Sequence, residues 1–191
     1  MALRQPGATW DRALAVAEDD GSCPGCGALL PATKGPRHAY LGASPACWAL
    51  YQRLSGRLTA RPDGLRTHRL LRDAYAAQHP GERQLRSVQS VAIHLMDLCL
   101  VLERGGTHQR RRPATHGRAP RRRALDLHWL EPPRVLGVMT ASDALRAEDD
   151  ADVRAERVEA WAADVWDAWE EHHHTIRRWL DASAARRDAV G

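Results

Sequence analysis

Four residues near the start of the chain have the chemistry of a metal site: Cys23 and Cys26 in Cys23-Pro24-Gly25-Cys26, then His38, then Cys47. Two cysteines separated by two residues can turn both sulfurs toward one point, and Pro-Gly between them supplies the tight backbone that this needs. With His38 and Cys47 the segment 21–47 offers three thiolates and one imidazole, a complete tetrahedral set for structural Zn2+. His38 and Cys47 are brought in by a loop, so the fourth position is the weaker part of the reading, and His79 or His173 are alternatives to His38. A redox CxxC would need a βαβ context, and the sequence has none.

A second candidate site is built from histidines. His79 closes one predicted helix, His94 lies on another and His172 or His173 on the last, with His173 preferred. Three imidazoles from three helices, His79, His94 and His173, could hold a divalent ion with a position left for water, as in metal-assisted hydrolysis or group transfer on a small molecule. Such a layout resembles the DinB-like metalloenzyme bundles in arrangement only, without a matching motif. Asp73, Tyr75 and Gln78 precede His79 closely enough to hydrogen-bond it. Ser87, Ser90 and Asp97 near His94 contain the elements of a Ser/His/Asp set, but no GxSxG motif places them.

The elements that must position these residues read as helices. Ser44-Pro45 is an N-cap followed by proline at the first helical position, and Cys47, Trp48, Tyr51, Leu54 and Leu58 follow at helical spacing. Cys47 is therefore offered from a helix's first turn, where the dipole favours a thiolate. A turn at 61–64 leads to a helix from Leu65 to Gln78, which His79-Pro80-Gly81 stops. Gln84 to Glu103 is apolar nearly all round and reads as the central helix. The segment 124–129 suits a short helix or strand, ended by Glu131-Pro132-Pro133, and Thr140 or Ser142 can cap a brief helix through Ala147. The last helix is predicted over Ala151 to Ala182, with Val158, Ala162, Val165, Trp169, Ile176 and Leu180 on its stripe. A short helix over Thr9 to Glu18 is predicted as well. The expected fold is mainly α: one domain over 1–191, an antiparallel helical bundle over 48–182 with the N-terminal zinc knuckle packed on it.

The 191 residues are enough to bury a proper core without disulfides, and the four cysteines suit a reducing compartment. Cys99 sits in an apolar run as inert core. The first twenty residues lack the apolar stretch of a signal peptide, and no membrane span is read, so a cytoplasmic protein is expected. Net charge is +4, yet Arg110, Arg111, Arg112, Arg118, Arg121, Arg122 and Arg123 fall in 105–123 without an acid, leaving 4 − 7 = −3 for the remainder. The basic character thus belongs to one flexible loop. Nucleic acid could bind there through phosphate contacts, but two prolines and no interleaved aromatics argue against a built interface. Trp161, Trp166, Trp169 and Trp179 are expected in the core.

The ordered set CPGCGA (23–28), RHAY (37–40), SPACWALY (44–51), DAYAAQHPG (73–81), SVAIHLMDLCLVLERG (90–105), EPP (131–133) and WDAWEEHHHTIRRWL (166–180) resembles a bacterial family known only as a domain of unknown function. The resemblance runs from Cys23 to Leu180 and implies that knuckle and histidines belong to one recurring design. It brings no activity with it, and the Arg-rich loop matches nothing in it. Two classes of function follow: a zinc-containing metal-dependent enzyme, or a non-catalytic zinc-stabilised interaction protein.

Overall fold

A computed structural model describes residues 21–59, 64–106, 125–146 and 150–188. The predicted helix over Thr9 to Glu18, positions 61–63 of the predicted turn and the seven arginines of the basic loop lie outside the described residues. The described residues form six helices: α1 (Pro45–Thr59), α2 (Leu65–Gln78), α3 (Leu85–Leu102), α4 (Ala141–Arg146), α5 (Ala151–Ala168) and α6 (His173–Asp188), with a 3-10 turn over Glu170–His172. The described residues contain no strand, only an isolated antiparallel bridge between Ser22 and Leu29. The protein is mainly helical, as its periodicity implies.

Local chemistry starts three of the helices. Ser44 Oγ accepts from the Cys47 backbone N–H at 3.2 Å, the N-cap bond that the Ser-Pro pair predicts. Of the two candidate caps for α4, Thr140 serves: its Oγ1 accepts from Ser142 N, while Asp143 Oδ2 reaches back to Thr140 N at 2.8 Å. Asp150 caps α5 by accepting from the backbone of Asp152 and Val153.

The helix at the centre is α2, not α3. It packs against α1, α3 and α5, and its second half, from Leu70 on, is buried on nearly every side. α3 is long and apolar enough to cross a membrane by length and composition, contrary to the reading that no such segment exists. In the fold its buried face packs on α2 and α6, while Leu85 and Ile93 are exposed. Apolarity all round a helix therefore did not identify the innermost one. α2 can take that place because the polar side chains of its final turns find partners there, Gln78 through Leu136, Met139 and Trp161 and Asp73 through Oδ1 to His94.

Gln78 shows how. Fully buried, it donates through Nε2 to the carbonyls of Leu136 and Met139 at 2.8 and 2.7 Å and accepts from Trp161 Nε1 at 3.1 Å. The Trp169 indole donates to Ala77 O at 3.3 Å. These bonds tie α5 and the segment before α4 to the C-terminal end of α2.

The predicted final helix is interrupted. Trp169, with φ −91° and ψ 16°, ends α5, and the chain turns through Glu170–His172 before α6 begins. Trp169 N donates to Trp166 O at 3.0 Å and His172 N to Trp169 O at 2.9 Å, bonds of the tighter helix type. The break accompanies the complete burial of Trp169, and the stripe residues Val158, Ala162, Val165, Ile176 and Leu180 stay in the core on both sides of it. All four tryptophans from Trp161 to Trp179 are buried, as is Cys99. Residues 125–130 form neither helix nor strand. Buried residues from Cys23 to Leu180 make one connected core, so the cysteine segment is packed into it.

Candidate metal centre

The Cys23–Cys26 turn closes through Gly27 N donating to Cys23 O at 2.8 Å and Cys23 N to Ala28 O at 2.9 Å. The turn lies where the N-terminus of α1 meets the C-terminus of α2. From α1 comes Cys47, on its first turn; from the residue that caps α2 comes His79. The ligand atoms of Cys23, Cys26, Cys47 and His79 all lie within 4.8 Å of one another, three of the residues buried and Cys26 half-buried. Cys26 Sγ is 3.8 Å from Cys47 Sγ, which is 3.4 Å from His79 Nε2.

The surroundings suit a bound cation. His79 Nδ1–H donates to the Tyr75 carbonyl at 2.7 Å, which sets the tautomer and leaves the Nε2 lone pair facing the sulfurs. Ser44 N–H donates to Cys23 Sγ at 3.4 Å and the Tyr75 hydroxyl to Cys47 Sγ at 3.7 Å, the outer hydrogen bonds that thiolate ligands take. The order Trp48, Tyr51, Tyr75, His79 forms a continuous ring stack that ends on the ligand imidazole.

Without a cation the charges do not balance. Hydrogen bonds from Cys26 and Cys47 hold the Cys23 thiol far below its usual range. Cys47, which gives those bonds to Cys23 and Cys26 and is desolvated besides, is pushed far up. Burial opposes a charge on His79, yet its bonds to Cys23 and Cys26 outweigh burial and push it up to about 9. Protons thus stand in for a positive ion among three sulfurs, and a divalent cation would replace them.

Gly25 is the position in the Cys-Pro-Gly-Cys turn that this packing demands. A Cβ there would lie 2.5 Å from His79 Cδ2 and 2.7 Å from the Gly42 carbonyl. Gly25→Ala is expected to displace the imidazole and to cost about 2 kcal/mol, as overpacking does. Thermal melts of metal-loaded protein, together with chelator competition, check this: stability and metal retention should fall together.

His38 is not in the cluster. Its ring lies edge-on to Tyr40 at 4.4 Å and against Trp48 at 4.8 Å, and its Nδ1 is buried without a hydrogen-bond partner. Burial keeps this imidazole below the ordinary histidine value. Proximity in sequence favoured His38, but the packing of α2 beside α1 brings His79 closer; of the two alternatives to His38, it is His79 that occupies the position.

Nor are His79, His94 and His173 brought to one point. His79 belongs to the cysteine cluster, and His94 Nδ1 bonds Asp73 Oδ1 at 2.7 Å. His173 stacks on Trp166 at 3.8 Å and donates from Nε2 to the Trp166 carbonyl. The helix break at Trp169 is what turns His173 back onto α5. Of the three residues expected around His79, only Tyr75 bonds it, through its carbonyl; Asp73 serves His94 and Gln78 the core. Asp73, His94 and Asp97 form the other group of ligand-type atoms among the described residues, and no spacing motif singled it out in the sequence.

No curated protein and no solved structure matches this chain. A family model does, over residues 21–170, a span that takes in the cysteine turn, His79 and the first five helices. Three of the four candidate metal ligands precede Trp48 and the fourth caps α2, so the whole cluster lies inside the matched region, and the chain belongs to the family of unknown function DUF5946.

Proposed function

We propose that Cys23, Cys26, Cys47 and His79 hold one Zn2+ as a structural centre in a helical frame that we read as an antiparallel bundle. The observation that carries this is the closed donor set. Four protein ligands meet in a largely buried place, leaving no coordination position for water or substrate, the mark of a structural and not a catalytic zinc. Three sulfurs and one imidazole select zinc over the hard cations, which take oxygen ligands. Metal analysis of purified protein should find one zinc per chain, retained in His38→Ala and lost or weakly held in His79→Ala. Zinc retention lost with His38 and kept with His79 would overturn the assignment.

A closed centre leaves the metal no part in bond-making, so any enzymatic chemistry on a small molecule falls to other residues. The non-catalytic reading, an interaction protein that touches nucleic acid through Arg110, Arg111, Arg112, Arg121, Arg122 and Arg123, rests on charge alone. Removing 107–123 takes away seven positive charges. Any polyanion binding of the protein should then vanish, and in the full chain it should fall steeply with salt. Filter binding of a single-stranded oligonucleotide at two salt concentrations measures it.

A further inference from the structure

Some way along α2 from the metal ligands, a second polar constellation faces a cavity. Asp73 on α2 is fully buried, and its Oδ1 accepts from His94 Nδ1 at 2.7 Å and from Arg72 Nε and Nη2 at 3.0 and 2.8 Å. The Arg72 guanidinium also lies 3.6 Å from Asp97 Oδ2. Although Asp73, His94 and Asp97 could together reach a metal ion, Arg72 already bridges the two carboxylates. A positive charge sits where the ion would have to be, so the group is better read as an Asp–His pair steadied by arginine.

That pairing has a chemical consequence. Nδ1–H of His94 donates to a carboxylate, so the free lone pair is on Nε2, at the opposite edge of the ring. Nε2 makes no hydrogen bond to the described residues. His94 lines a cavity of ≈ 190 Å³ whose walls include His38, Trp48, Tyr51, Tyr75 and Ser90. It also borders a shallower depression of ≈ 380 Å³ that shares Tyr40 and Ser90 with the first, which gives a way in. The cavity volume corresponds to about six waters of liquid, room for one ring with small substituents. Aromatic walls favour a planar guest. His38 is a second imidazole in the wall of the cavity.

We propose that this cleft binds a small planar hydroxylated molecule and that Nε2 of His94 takes its hydroxyl proton. In that step the O–H bond breaks and an N–H bond forms at Nε2. The electron pair stays on the substrate oxygen, which becomes a nucleophile, and the positive charge on the imidazole is met by the Asp73 carboxylate. Other charged or titratable groups near His94 are Arg72 and Tyr75 from α2, Asp97 and Arg86 from α3, Tyr51 from α1, and His38 and Tyr40 from the segment before it. Burial pushes the Tyr51 hydroxyl above its ordinary value, so it is a neutral neighbour and no competitor for the role of base. The assignment does not depend on the zinc reading, because neither Asp73 nor His94 is a ligand of that centre.

Para-nitrophenol is a suitable probe, since its phenolate absorbs visibly and reports its own ionisation. With metal-loaded wild-type protein we expect saturable binding and a bound probe that ionises at lower pH than in solution, by about one unit. His94→Gln should bind the probe without that shift, at unchanged metal content and melting temperature, and Asp73→Asn should diminish it. Para-nitroanisole, with no proton to give, should bind wild type about tenfold more weakly, the loss of one hydrogen bond. This comparison needs no mutant. Equal affinity for the two probes, absence of saturable binding, or a shift that survives in His94→Gln would overturn the proposal.

Discussion

With zinc held in the cysteine–histidine cluster as proposed, stripping it with a strong chelator, or replacing Cys47 by serine, is expected to abolish the cooperative unfolding transition of this protein. Cys47 stands at the joint of three parts: it lies in the first turn of α1, contacts His79 at the end of α2, and meets Cys26 of the N-terminal turn. A structural zinc site contributes roughly 10–16 kcal/mol of apparent binding free energy, as much as the whole stability of a typical domain. Losing it would release the segment 21–44 and remove the bridge that Cys47 and His79 make between α1 and the cap of α2. The direction with pH follows from the protons that the metal must displace. Near neutral pH the metal-free cluster holds a proton on Cys47, pushed far up, and one on His79, pushed up to about 9. Zinc binding therefore releases both, and acidification favours the protonated, metal-free form. Calorimetry of zinc-loaded protein should show a melting temperature that falls as pH is lowered, and adding zinc to metal-free protein in weak buffer should acidify it. A melting temperature indifferent to chelator would show that the ligands pack together without a metal.

The second large effect is expected at Gln78. Gln78→Leu keeps the approximate size of the side chain but leaves the carbonyls of Leu136 and Met139 and the indole N–H of Trp161 without their partner. A buried polar group left unpaired costs about 1–3 kcal/mol, and three here share the loss, so a destabilisation of about 3 kcal/mol or more is expected. For a chain of this length that lowers the melting temperature by roughly 10 °C. Gln78→Glu should be damaging too, since one Oε would face two carbonyls that need a donor. Zinc content should be unchanged in both variants while they remain folded, which separates this core network from the metal centre one residue away. Denaturant melts followed by Trp fluorescence measure the loss, and a Gln78→Leu protein within 1 kcal/mol of wild type would contradict the account.

Much of the site was legible from local chemistry. The Cys23-Pro24-Gly25-Cys26 turn needs only itself and its two following neighbours, Gly27 and Ala28, to bring two sulfurs together, and Ser44-Pro45 places Cys47 on the first turn of α1 by capping. His79 at the end of its helix was legible in the same way, because His-Pro-Gly stops α2. Its role was not. The choice between His38 and His79 depends on how α2 lies beside α1, a contact between residues 32 positions apart that spacing cannot express. His173 illustrates the reverse case: a continuous helix would have projected it from a stripe shoulder, and the turn at Trp169 stacks it on Trp166 instead.

What the sequence by itself determined, then, is the helical character of the chain, the caps at Ser44 and Thr140, and three thiols with a glycine between the first two. These follow from hydrogen bonds and side-chain periodicity within a few residues of each position. Tertiary structure decided the fourth member of the cluster, the inner place of α2, and the pairing of Asp73 with His94. Each of these depends on which buried polar group finds a partner across a helix interface. Asp73 and Gln78 look from the sequence like ordinary polar residues of an amphipathic helix, and only the surfaces of α3 and α5 packed against them show why they are buried. A buried polar group is stable only with its partner in place, and that partner lies on another element of the chain.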